Sequence, residues 1–65
     1  MDAPDIKAKW LELTGEAKRR WGKLTDDDLA VIDGDIDKLK GKLRERYDLS
    51  DVDAEAEVNA WISRL

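Results

Sequence analysis

The sequence predicts an all-α fold, a small four-helix bundle built from two helical hairpins. Three observations carry this. Apolar residues recur at steps of three and four along most of the chain, acidic N-cap signals stand where the stripes begin, and strict apolar–polar alternation dominates no stretch. With 65 residues the chain is one domain, 1–65, and its core is thin.

Helices are expected near 4–22, 26–33, 35–47 and 51–64. In the first, Ile6, Trp10, Leu13, Ala17, Trp21 and Leu24 form one face, and Pro4 is tolerated in a first turn that Asp2 and Asp5 make acidic. The second opens on Thr25, whose hydroxyl is a good N-cap. Asp28 stands three residues on, where a carboxylate reaches back to the Thr25 N–H in a capping box. Leu29, Ile32, Ile36, Leu39, Leu43 and Tyr47 continue the stripe. Ser50, Asp51 and Asp53 repeat the cap signal before Ala54, Val58, Trp61 and Leu65, with Ile62 beside them.

An internal repeat decides where the middle breaks. Trp10, Leu13, Gly15, Ala17 and Trp21 align at an offset of 26 with Ile36, Leu39, Gly41, Leu43 and Tyr47. Each copy reads as helix, turn, N-cap, helix, which places the junction of two hairpins near Gly34. The competing reading is one helix over 26–47, since an interior glycine costs only about 1 kcal/mol against alanine. A helix that long would leave too little chain to pack around it. The expected core is Trp10, Leu13, Trp21, Leu29, Ile32, Leu39, Leu43, Tyr47, Val58 and Trp61.

Composition narrows function chiefly by exclusion. The chain has no cysteine and no histidine, so thiol and imidazole catalysis are absent, as are Cys and His ligands for structural zinc. Carboxylates are plentiful, but none accompanies a nucleophile, a metal motif or a recognisable pocket motif, and no cofactor motif is present. Asp33, Asp35 and Asp37 match the first three ligand positions of an EF-hand loop. The required glycine is Lys38 and the required bidentate glutamate is Arg44, so the motif fails twice. Asp2-Ala3-Pro4-Asp5 offers no basic n-region or apolar h-region, and no apolar run approaches the roughly 20 residues of a membrane span. A cytoplasmic location is the simplest expectation.

The residues also resemble a known family. Lys9-Trp10, Leu13, Gly15 and Lys18, then the run Trp21-Gly22-Lys23-Leu24-Thr25-Asp26-Asp27-Asp28-Leu29, are similar to the CsbD-like bacterial general stress-response family. So are Ile32, Gly34, Asp37, Leu39, Gly41-Lys42-Leu43, Glu45-Arg46-Tyr47, Ser50, Ala54-Glu55, Val58 and Trp61. The resemblance implies two roughly orthogonal helical hairpins and a role in bacterial stress or stationary phase, and it brings no catalytic residues. The chain departs from the family pattern at Asp35, where a basic residue is usual, and at Asp48, where glycine often follows the tyrosine.

Charge is the remaining feature. Sixteen acids and twelve bases give −4, in blocks of −2 over 1–5, +4 over 6–25, −6 over 26–37, +4 over 38–46 and −4 over 47–65. Acids open helices and bases close them, the order the helix macrodipole favours. Two basic clusters supply a candidate binding surface: Lys18, Arg19, Arg20 and Lys23 at one helix end, and Lys38, Lys42 and Arg46 along one side of the Leu39/Leu43 stripe. Lys40 and Arg44 fall on the other side, so the second cluster is not one continuous stripe. The expectation is a non-enzymatic stress-response domain that binds or protects through its surface. The alternatives are a nucleic-acid module using residues 18–23 and 38–46, or a module that self-associates through Val31, Val52 and Ile62.

Overall fold

The computed structural model describes residues 2–65; Met1 lies outside the described residues. Five helices follow in order: α1 (Ala3–Ala8), α2 (Trp10–Arg20), α3 (Asp26–Ile32), α4 (Ile36–Tyr47) and α5 (Asp51–Ile62). The described residues contain no strand. α4 packs against both α3 and α5.

The first expected helix, 4–22, is two helices. Lys9 adopts φ −106° and ψ 17°, outside the helical region. Hydrogen bonding runs on across it: the Lys9 N–H donates to Asp5, and the N–H groups of Glu12 and Leu13 both donate to the Lys9 carbonyl. Neither proline nor glycine stands at the break, so local sequence does not demand it. Tertiary packing offers the reason. Ile6 on α1 is fully buried, and α1 lies so close to the α3–α4 turn that a Cβ on Gly34 would stand 2.6 Å from the Lys7 Cα.

That turn ends α3 as the repeat predicts, and the single helix over 26–47 does not form. Asp33 takes a left-handed conformation at φ 46° and Gly34 follows at φ 78°. Gly34 is needed twice over, for its positive φ and for the close approach of α1. Gly15, by contrast, sits inside an unbroken α2.

The caps form as read. The Thr25 hydroxyl accepts from the Asp28 N–H at 3.0 Å and the Asp28 carboxylate accepts from the Thr25 N–H at 3.1 Å, completing the capping box. The Ser50 hydroxyl accepts from the Asp53 N–H. Thr25→Ala and Ser50→Ala should each lower stability by about 1 kcal/mol in a urea melt. No change in either would mean that these hydroxyls cap nothing in solution.

The two departures from the family pattern have local consequences. Asp35 is the N-cap of α4, its carboxylate accepting from the N–H groups of Asp37 and Lys38. A basic side chain there has no acceptor to offer. Asp48 ends α4 at φ 53°. Glycine holds that conformation without the Cβ penalty, so Asp48→Gly should raise stability by about 0.5–1 kcal/mol. A lower thermal midpoint for this variant would contradict the reading.

The core contains nine of the ten residues expected, joined by Ile6, Ala17, Leu24 and Ala54. Tyr47 is the correction. It is half-buried at the core's edge because its hydroxyl accepts the Lys23 N–H at 3.1 Å and its ring carries the Lys23 ammonium at 5.1 Å, contacts that keep one side near solvent. The three tryptophans are buried side by side. Trp61 lies edge-to-face with Trp10 at 6.4 Å and with Trp21 at 5.2 Å. The Trp10 Nε1–H donates to the Leu29 carbonyl and the Trp21 Nε1–H to Glu57 Oε1, so both indole donors are satisfied.

Candidate functional site: basic side chains converging on Asp28

The first turn of α3 gathers bases from both clusters. Among the described residues Asp28 is the one charged side chain that is buried, at 3% exposure. The Arg46 guanidinium meets it with two parallel hydrogen bonds, Nε to Oδ2 at 2.9 Å and Nη2 to Oδ1 at 2.8 Å. This bidentate fork is the strong form of the pair. The Lys42 ammonium stands 3.7 Å from the same carboxylate, and Lys18 pairs with Asp26 at 2.7 Å. The Arg46 hydrogen bonds and the Thr25 N–H hold the Asp28 carboxyl far below the usual carboxylate range, outweighing the opposing effect of burial. The same contact raises Arg46 above its ordinary value.

The other candidate residues are placed as follows. Arg19 lies 3.6 Å from Glu16. Arg20 lies over the Trp21 ring at 5.6 Å and 3.9 Å from Glu57. Lys23 sits on Tyr47. Lys38 makes no ion pair among the described residues. The two flanks of α4 point at different neighbours, Lys42 and Arg46 toward α3 and Arg44 toward Asp51 of α5 at 2.9 Å. The two clusters therefore approach one another across an acidic turn. Among the seven candidates, Lys18, Arg19, Arg20, Lys42 and Arg46 each meet a carboxylate. Asp33 and Asp35 serve as helix caps and Asp37 pairs with Lys40.

Sequence reasoning assigns Asp28 to the capping box alone and overlooks its second partner. Asp28 and Arg46 are 18 positions apart, and no short motif marks a contact that depends on α4 folding back along α3. Glu57 was overlooked for the same reason, since it reaches Trp21 and Arg20 from α5.

These features define a class: a small, acidic, all-helical bundle whose surface bases are largely matched by acids of the same chain. A family model described as CsbD-like matches residues 5–50, and the chain belongs to that family. It is 52% identical to the UPF0337 protein PA4738 of Pseudomonas aeruginosa over the full length of both. It is 46% identical to the UPF0337 protein ECA0631 of Pectobacterium atrosepticum, covering 94% of this chain and 88% of that one. The UPF0337 protein YjbJ of Escherichia coli K12 is 42% identical over 98% of this chain and 93% of its own length. No solved structure matches the chain at a significant level. No helix among the described residues is long and apolar enough to cross a membrane.

Proposed function

We propose that this chain is a non-enzymatic, cytoplasmic stress-response protein that acts through its folded surface. Family membership supports the stress role. The observation that carries the surface reading is that Lys18, Arg19, Arg20, Lys42 and Arg46 each meet a carboxylate of the same chain, which supports a scaffold role for most of the two basic clusters. A base held against a carboxylate of its own chain has less to gain from a phosphate, and a net charge of −4 opposes approach to a polyanion.

Deletion of the gene in its host should reduce survival under stress, and a copy carrying Lys18→Gln, Arg19→Gln, Arg20→Gln and Lys23→Gln should restore it. Unchanged survival on deletion would refute the stress role. Failure of the folded quadruple variant to complement would return function to the basic cluster. In vitro the same variant should lose roughly 1–2 kcal/mol at low salt, and less at high salt, because helix-end charge and ion pairs are screened. Wild-type protein should show no duplex DNA binding at physiological salt. Tight binding with a salt slope that drops in the variant would establish the nucleic-acid alternative instead.

A further inference from the structure

A groove of about 420 Å³ runs along the surface between α2 and α3. The two helices are antiparallel here. Trp10 donates to the Leu29 carbonyl at 2.9 Å and, about two turns further along α2, Lys18 pairs with Asp26 at 2.7 Å. Trp10 and Leu29 are buried at its floor, and its open walls are Leu11, Thr14 and Gly15 on α2 and Ala30 on α3. The Thr14 hydroxyl donates to the Leu11 carbonyl at 3.0 Å, so it is already engaged within α2.

Two features of the α2 wall serve nothing within the chain. Leu11 is 91% exposed, the most exposed large hydrophobic side chain among the described residues. Gly15 lies one turn further on, inside a helix that glycine weakens, yet a Cβ there would meet nothing within 4 Å. Neither a positive φ nor a close neighbour of its own chain calls for it, and the missing Cβ leaves room for another backbone to approach. The walls also differ in sign. Lys18 stands on the α2 wall, Asp26 and Asp33 on the α3 side. Past Leu11 the surface continues into a hollow that adds Lys7 and Lys9 beside α2, with Glu12 the one acid on that side. Lys7, Lys9 and Asp33 form no ion pair among the described residues.

We propose that a second copy of this chain docks on the groove about a two-fold axis running along it, α2 of each copy lying on α3 of the other. Such an axis brings every residue of one wall onto the opposite wall at the same level, so the two copies match in sign. At one end Lys7 and Lys9 face Asp33 of the other copy. At the other end Lys18 faces Asp26 of the other copy, and the two Lys18–Asp26 pairs alternate in sign around the axis. Leu11 packs on Leu11 and Ala30 of the other copy, and Gly15 lets the helices close up. A two-fold axis across the helices would instead set Lys18 against Lys7 and Asp26 against Asp33, like against like, and is disfavoured. An unrelated amphipathic helix would cover Leu11 as well, but a copy of this chain brings the opposite charges at the matching spacing.

The test is the concentration dependence of mass, by sedimentation of the full chain at low salt, with amide chemical shifts followed over the same dilution. The interface is small, so wild type should dimerise with a Kd on the order of 100 μM, and dilution should shift the amides of Leu11, Gly15 and Ala30. Leu11→Ser, at a position exposed in the single chain, should weaken dimerisation at least about tenfold, because each dimer loses two buried leucines. Val52→Ser, on α5 and outside the groove, should leave it unchanged. Lys18→Glu and Asp26→Lys should each weaken it when alone, since like charges then meet across the axis. An equimolar mixture of the two should associate at least about fivefold more tightly than either, because Glu faces Lys in the mixed dimer. Thermal melts establish that each variant is folded. The proposal is overturned if wild type stays monomeric to about 1 mM, tenfold above the expected Kd. It is equally overturned if the dilution shifts map to another face, if Val52→Ser weakens association as much as Leu11→Ser, or if the mixture associates no better than its components.

Discussion

Trp21→Ala is expected to cost about 3–5 kcal/mol. Trp21 is 2% exposed, lies edge-to-face on Trp61 and donates its indole N–H to Glu57. Truncation removes the largest kind of apolar side chain from a core with few to spare, opens a cavity beside Trp61 and leaves Glu57 without its donor. A chain of this length has a total stability of about 3–10 kcal/mol, so the variant should be largely unfolded near the lower end of that range. Circular dichroism melts and near-ultraviolet spectra would report it. A midpoint close to wild type would mean that Trp21 contributes to the surface rather than the core. Trp21→Phe should recover part of the loss, because a ring is restored while the donor to Glu57 is not.

Asp28→Ala is expected to cost about 2–4 kcal/mol, since one substitution removes an N-terminal cap of α3 and the acceptor of a bidentate charged pair. Asp28→Asn separates the two roles, keeping an acceptor for the Thr25 N–H while losing the charge that Arg46 grips. It should fall between wild type and Asp28→Ala at neutral pH. The pair also sets an acid limit. Asp28 titrates in the folded protein well below its ordinary value of 3.8, so the unfolded chain takes up this proton first. The stability the carboxylate contributes is complete above that value and is lost as pH falls from about 4 toward the folded-state pKa. Wild type and Asp28→Asn should therefore differ most at neutral pH and converge in strong acid. A difference that stays constant across that range would show that the charge of Asp28 is immaterial and only its shape counts.

Much of this protein was legible locally. Helices were readable because the 3.6-residue period of the Leu29–Tyr47 stripe, the hydroxyl of Thr25 and the hydroxyl of Ser50 act within one or two turns of chain. The break near Gly34 was readable because the repeat supplied a second copy for comparison. The sign of the charge blocks was readable too, because acids at helix starts and bases at helix ends answer to the helix's own dipole.

What each base faces was not readable. Lys42 and Arg46 lie on the same flank of α4, as the helical period requires. That this flank meets the buried carboxylate of Asp28, and the opposite flank meets Asp51, depends on how α4 packs against α3 and α5. The kink at Lys9 has the same origin, for no residue there breaks a helix, and α1 closely approaches the turn containing Gly34. The half-exposed position of Tyr47 follows from Lys23, distant in sequence, which takes both its hydroxyl and its ring face. By itself the sequence determined the helical stretches, the caps at Thr25 and Ser50 and most of the apolar faces, because those forces act over a few residues. Which charges are neutralised, which rings are covered and which crevice stays open was decided only by the tertiary structure, since such contacts join residues that the chain brings together only on folding.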